Sequence, residues 1–283
     1  KFPYPDALRL IQQHEPDSGM LTHTLLKMAE RQIFDTIDGG FHRYATQQDW
    51  DWPHFEKLLE DNAHLLTIYL SAWRTTDTHR FKQVAEQIIS YLFTHLWNDA
   101  GYFSASQDSN EAYATLPIEK RSLLPPPPID TTCYTDRNSE SVRALWLAHA
   151  RLQREDCRQA AITVTNYLLD HCVTAHGVIH HPNAPKEPVY LKDHAQLTSA
   201  LITTYQHTGD HKYLNEAETI AKKTITLFST KKGFISFKGK SIGLLKTPYK
   251  DVTDNALIAL ALLDLSALTG NAPYHTLAKQ ALE

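Results

Sequence analysis

A four-fold recurrence constrains this chain most. Asp61-Asn62-Ala63, Arg137-Asn138-Ser139, Asp193-His194-Ala195 and Asp254-Asn255-Ala256 each open a stretch of helical apolar periodicity. Each stretch runs to a short turn, at Thr76-Asp77, Glu155-Asp156, Gly209-Asp210 and Gly270-Asn271. The acidic or amide side chain there is suited to cap a following helix. That helix then stops at a Gly followed by apolar residues: Gly101-Tyr102-Phe103, Gly177-Val178-Ile179, Gly233-Phe234-Ile235. A first helix from Leu21 to about Asp35 leads to Gly40-Phe41 in the same way, and Asp6 to Gln13 reads as one more.

The unit is a helical hairpin with tight turns at one end and long connections at the other. Within it, Phe55, Leu58, Leu59, Leu66, Tyr69 and Trp73, or Phe81, Val84, Ala85, Ile88, Ile89 and Leu92, recur at helical spacing and are expected to pack the core. Strand-like alternation is confined to pieces such as Gly233–Phe237. The period of roughly 60 residues exceeds the ~34–47 of common helical solenoids. The expectation is an all-α, (α/α)6-type toroid, complete or incomplete, of about ten helices in five hairpins, forming one domain over residues 1–283. Inner helices are placed near residues 55–74, 138–153, 194–207 and 255–268. The long loops Gly39–Asp61, Ser104–Asp136, His180–Lys192 and Lys238–Asp254 would then gather at one mouth.

Composition narrows the function. A net charge of -4 gives no nucleic-acid footprint. No apolar run is read as long enough for a bilayer, so no membrane partner is expected. Cys133, Cys157 and Cys172 have neither CxxC nor zinc-ligand spacing, which suggests reduced thiols and a cytoplasmic setting. Sixteen His include no HExxH pair, and neither metal nor cofactor is expected.

The string GGFHRYATQQDWDWPHFEKLLEDNAHL resembles the signature of the YyaL-type family, the spermatogenesis-associated thioredoxin-domain proteins. FSASQDS, YLKDHAQLTSALITTYQHTGD and DNALIALALLDLSALTGNAPY continue the resemblance in order over nearly the whole chain. It implies a toroid similar to N-acylglucosamine 2-epimerase and the six-hairpin glycosidases, here without the thioredoxin-like domain that precedes it in family members. The acidic loop departs from the family pattern: Asp108 stands without the full cluster, and Arg137-Asn138 replaces Trp-Asn. A sixth hairpin is unaccounted for.

The Gly39–Asn62 stretch concentrates the chemistry. Gly39 and Gly40 are expected to end one helix and Pro53 to open the next, where its missing N–H costs nothing. His54, Lys57 and Asp61 would then share a helical face. The expected catalytic groups are His54, Glu56, Asp108 and Asp193, with His42, Arg43, Tyr44, Trp50, Lys57 and Asp61 as ligand-binding residues. Proton transfer to a sugar needs a carboxylate or imidazole, and an apolar sugar face needs an aromatic platform. Glu56 with Lys57 also fits a scaffold ion pair. Asn62, Asn138 and Asn255 recur with the hairpin and are read as structural. Ser104–Asp136, with four consecutive prolines at Pro125–Pro128, is expected to cover the mouth, bringing Asp108 and Glu111 near the cavity. Two function classes follow: a sugar epimerase, isomerase or glycosidase, or a ligand- or peptide-binding module working with a thioredoxin-like domain.

Overall fold

The computed structural model describes residues 1–121, 123–183, 188–239 and 249–282. Parts of the expected mouth loops His180–Lys192 and Lys238–Asp254 lie outside the described residues. Two compact units emerge: Lys1–Thr132 with Leu147–Cys157, and Cys133–Trp146 with Arg158–Glu283. Ten helices of ten or more residues are present among the described residues: α1 Pro5–His14, α2 Gly19–Glu30, α3 Leu59–Thr76, α4 His79–Tyr91, α7 Thr135–Leu152, α8 Glu155–Cys172, α9 Leu191–Thr208, α10 His211–Phe228, α11 Val252–Thr269 and α12 Ala272–Leu282. Two four-residue helices, α5 Glu111–Ala114 and α6 Ile118–Arg121, lie between α4 and α7.

In the first unit, α4 buries Phe81, Val84, Ala85, Ile88 and Ile89 completely, the stripe expected from its spacing. It packs against α3, which also meets α1. In the second unit, α9 is buried on nearly every face, with Asp193, His194, Ala195, Leu197, Thr198, Ala200 and Leu201 inaccessible. It is flanked by α10 and α11. Trp146 of α7 donates its indole N–H to Thr204 of α9 at 3.0 Å, so a buried polar handle is satisfied. Tight turns close the hairpins. Gly209 ends α9 with φ 71°, and Asp210 then caps α10 by accepting from the Lys212 amide. Asp77 instead ends α3 in the left-handed conformation and caps nothing.

One repeated contact explains why the hairpin signature contains both Gly and Asn. Asn62, on the first turn of α3, accepts from the Phe41 amide at 2.7 Å and donates to the Phe41 carbonyl at 3.1 Å. Its amide also donates to the Leu58 carbonyl at 2.9 Å. Asn255 makes the same three bonds to Phe234, at 2.8 and 2.9 Å, and to Asp251, at 2.8 Å. In the third copy His194 replaces Asn: Nε2 accepts from the Val178 amide at 3.0 Å and Nδ1 lies 2.8 Å from the Tyr190 carbonyl. The preceding Gly makes room. A Cβ on Gly40 would stand 3.1 Å from Asn62 Oδ1, and one on Gly233 2.8 Å from Asn255 Oδ1, at φ values of 77° and 70°.

Several local expectations are corrected. α2 ends at Glu30, so Gly39 and Gly40 turn a connecting segment instead of ending a helix. Pro53 does not open a helix: Pro53–His54 pairs antiparallel with Tyr44–Ala45, and α3 begins at Leu59. His54, Lys57 and Asp61 therefore share no helical face. Lys57–Leu58 pairs with Ser106–Gln107, which pairs with Ile129–Asp130. The long Ser104–Asp136 connection is thus tied into a three-stranded sheet, with Pro125–Pro128 outside any helix or strand. α11 corrects the membrane reading of the sequence. Its 18 residues have mean hydropathy 1.4, long and apolar enough for a membrane span by length and composition. Within its unit it packs against α9 and α12.

Replacing Asn62 with Ala should expose the cost of the repeated contact. The change strands the buried Phe41 amide, and an orphaned buried group costs about 1–3 kcal/mol. With the small cavity added, Asn62→Ala is expected to destabilise by roughly 2–4 kcal/mol in urea unfolding. A loss below about 0.5 kcal/mol, the range of a neutral surface substitution, contradicts the assignment.

Candidate functional site

In the first unit the Gly39–Asn62 stretch sorts its polar residues into two groups. The buried group is structural. Lys57, 2% exposed, donates to Asp35 at 2.9 Å and to the Gly39 carbonyl at 2.7 Å, with its ammonium 4.6 Å from the Tyr91 ring centre. Arg121 of α6 joins Asp35 at 3.0 Å and also bonds Asp38. Burial works to raise the Asp35 pKa, but Lys57 and Arg121 outweigh it and hold the carboxyl well below its usual range. Burial first, then the Lys57 charge, drives His42 down to about 3, so its ring is neutral. His42 packs edge-on against Phe55 and lines a cavity of about 400 Å³ with Trp52. Trp50 is core, 4% exposed, under the Lys1 ammonium, whereas Trp52 is the exposed indole.

The outer group is a surface cluster. Arg43 holds Glu56 at 2.9 Å, while the Arg43 amide donates to the Glu56 carbonyl at 2.8 Å. His54 Nε2 stands 3.7 Å from Glu56, its ring stacked on Tyr44. Asp61 is half-buried in the first turn of α3. Asp108 is exposed and accepts from the Ser109 amide at 2.7 Å. Glu111 is exposed at the start of α5.

The second unit holds the remaining expected residue, Asp193, in a different setting. It is fully buried on the first turn of α9. Both of its oxygens bond His180 Nδ1, at 3.1 and 3.0 Å, and Oδ1 also accepts from the Asp136 amide at 3.2 Å. The His180 segment is pinned by Thr135, whose amide donates to the His180 carbonyl at 2.9 Å and whose hydroxyl donates to the Ile179 carbonyl at 2.6 Å. Tyr134 and Tyr190 pack against the imidazole. With Nδ1 turned to the carboxylate, Nε2 has no hydrogen-bond partner among the described residues.

The surrounding cavity is about 480 Å³ and is walled by Tyr190, Phe237 and Tyr249, with Asp136, Lys192, Asp251 and Asp254 among its polar lining. Lys192 pairs with Asp136 at 2.9 Å. Burial, reinforced by the nearby Asp136 carboxylate, pushes Asp193 up to about 6 even though His180 opposes it. Asp136 moves the other way: burial opposes ionisation, but Lys192 outweighs it. His180 is raised, since its bond to Asp193 and the charges of Asp193 and Asp136 together overcome burial. Asp136, His180 and Asp193 also bring one donor atom each within 4.8 Å of one another, a spacing compatible with a metal ion, although the Lys192 ammonium already neutralises Asp136.

His180, Lys192 and Asp136 were missed in the sequence, but a signal for His180 exists. It lies three residues after Gly177, and Arg43 and Ser236 occupy the same offset after Gly40 and Gly233. Asp193 and Asp254 each precede the residue that grips the Gly turn. The pair formed is His180 with Asp193 in one repeat and Ser236 with Asp254 in the next.

The dyad has a signed pH dependence. A His whose folded pKa is raised stabilises the fold below its unfolded value near 6.5, and that contribution is lost as pH rises through the folded value. Asp193→Asn removes the charge that raises it. The His180 titration midpoint, followed by NMR, should fall in that variant. An unchanged midpoint contradicts the pairing.

Residues 21–238 match the family model described as the Beta-L-arabinofuranosidase, GH127 catalytic domain. Spermatogenesis-associated protein 20 of Rattus norvegicus is 35% identical over 120 residues, covering 39% of this chain and 15% of the rat protein. The human protein is 32% identical over 154 residues, covering 47% of this chain and 20% of its own length. The chain thus matches a minor part of these curated relatives. Cellobiose 2-epimerase from Spirochaeta thermophila superposes with a TM-score of 0.73 at 15% identity, over 98% of this chain and 69% of the epimerase. A D-mannose isomerase gives 0.69 at 15% identity, over 94% and 70%. At such identities the likeness establishes the fold, which is that of the (α/α)6 toroid epimerases and glycosidases. The resemblance to the spermatogenesis-associated family stands beside it, and the match over most of the chain's length makes this protein a member of the GH127 catalytic-domain family.

Proposed function

We propose that this chain is a sugar-processing enzyme that moves a proton at a carbon next to a sugar carbonyl, as an epimerase or isomerase does. The observation that carries the reading is the His180–Asp193 dyad beside an aromatic-walled cavity of about 480 Å³. Neutral His180 keeps its proton on Nδ1, facing Asp193, and accepts the substrate proton at Nε2. Asp193 holds the tautomer and steadies the imidazolium that forms. Its pKa, raised from the ordinary histidine value, favours a base near neutral pH. Tyr190, Phe237 and Tyr249 offer apolar faces to a sugar ring. The solved neighbours that process sugars, a D-mannose isomerase and a cellobiose 2-epimerase among them, support the substrate class.

Glycoside hydrolysis fits less well. Retaining hydrolysis uses carboxyl groups about 5–5.5 Å apart and inverting hydrolysis a wider gap. Here Asp193 is fully buried with both oxygens turned to His180, unlike a carboxylate open to substrate. In this reading Asp193 acts through His180. In this reading the surface groups His54, Glu56 and Asp108, expected from the sequence to be catalytic, serve with Arg43 as ligand contacts of the first unit. The binding-module alternative, working with a thioredoxin-like domain, rests on the greater length of the curated relatives.

Incubation in D2O with mannose, glucose or cellobiose separates these readings. Proton transfer at C2 should incorporate deuterium there, detectable by NMR, and His180→Gln should slow incorporation at least about 100-fold, the usual scale of acid–base catalysis. Release of monosaccharide from cellobiose without deuterium incorporation at C2 would instead indicate a hydrolase. Failure of every sugar to bind or exchange would favour the binding module.

A further inference from the structure

A cleft of about 330 Å³ in the first unit is lined by α1, α3 and the end of α7, and no acidic residue lines it among the described residues. Arg9, Arg74 and Arg151 all face it, together with Gln13 and Ser71. In a chain of net charge -4, three guanidinium groups converging on one carboxylate-free cleft is a local reversal of sign. Like charges gathered in this way repel, and the arrangement becomes favourable when an anion sits between them.

Helix dipoles alone do not account for the arginines. Arg74 and Arg151 stand in the last turns of α3 and α7, where a cation is favoured. Neither makes a hydrogen bond or ion pair with any described residue, so neither is used as a C-terminal cap. Both side chains are exposed, and their ten N–H donors between them are directed to no acceptor among the described residues. The Ser71 hydroxyl and the Gln13 amide add neutral donors to the same lining.

We propose that this cleft binds the dianion of a phosphate monoester or of free phosphate. Two guanidinium groups without protein partners match the two charges of the dianion. The planar fork of each Arg pairs bidentately with tetrahedral phosphate oxygens, which a carboxylate offers only once. The site is built from residues that the His180–Asp193 dyad does not use, so the phosphate cleft stands or falls independently of the sugar chemistry.

The test is a thermal-shift and 31P NMR titration of the whole chain at fixed ionic strength. The probes are inorganic phosphate and glucose 6-phosphate, with acetate as the monoanionic control. Saturable stabilisation by the phosphates and none by acetate is expected. Binding should weaken as pH falls through the second ionisation of each probe, about 6 for the ester and about one unit higher for free phosphate, where the dianion gains a proton. Equal affinities mark free phosphate as the occupant, and tighter binding of the ester marks a phosphorylated small molecule. The double variant Arg74→Gln/Arg151→Gln, at two exposed positions, should keep the circular dichroism of the parent and bind at least about tenfold more weakly. Equal shifts with acetate and phosphate, or an unchanged affinity in the double variant, would overturn the proposal. Should the double variant misfold, the single Arg151→Gln change is read in the same way.

Discussion

The hold of a first-turn Asn or His on the backbone just past a Gly is the contact from which this architecture follows. A hairpin repeat must solve one problem at each junction: an incoming chain segment has to pass the N-terminal end of a buried helix. That passage strands backbone N–H and C=O groups where water cannot reach them. Asn62 and Asn255 solve it by pairing with both polar groups of Phe41 and Phe234, and each also takes a carbonyl of its own helix's lead-in. His194 takes the Val178 amide and its own lead-in carbonyl at Tyr190 with its two ring nitrogens, without the second bond to the turn. Burial pushes that imidazole down to about 4, so it stays neutral at physiological pH and keeps one acceptor and one donor. The left-handed Gly provides the space that the gripping side chain fills.

Once the turn is held, the chemistry is placed by offset. In two of the copies the residue three past the Gly meets the residue that precedes the gripping Asn or His. In the third copy those positions are His180 and Asp193, which form the dyad. In the fourth they are Ser236 and Asp254, which line the same cavity. A structural repeat thereby carries different side chains to equivalent places, and only one copy combines a titrating base with a buried carboxylate.

Much of this was legible in the sequence. The hairpin order, the number of long helices and the structural role of Asn62 and Asn255 follow from periodicity and recurrence. The boundary at Pro53 was misread because Pro is at home both in a first helical turn and in an edge strand. Pairing with Tyr44–Ala45 decided between them, and no local rule contains that partner. Lys57 looked like a ligand group because its partner Asp35 lies 22 residues away and Arg121, which shares that carboxylate, lies 86 residues from Asp35. Trp50 and Trp52 are chemically alike in the sequence, and only burial separates the core indole from the exposed one. Asp193 was found through its recurrence, but His180 was hidden among sixteen histidines, most of which pack against rings or cap carbonyls.

Two buried charged clusters in the chain illustrate opposite uses of the same physics. Asp35, Lys57 and Arg121 satisfy one another, and the two cations hold the buried Asp35 carboxyl ionised. Asp193 is buried with a neighbouring carboxylate and a histidine, which brings its titration up to about 6. A crystal structure with a bound monosaccharide tests that distinction most directly. The account predicts ordered sugar in the cavity walled by Tyr190, Phe237 and Tyr249, with a reacting carbon or its hydroxyl within about 3.5 Å of His180 Nε2. Sugar ordered instead against His54 and Glu56, with the His180 cavity left to solvent, would contradict it.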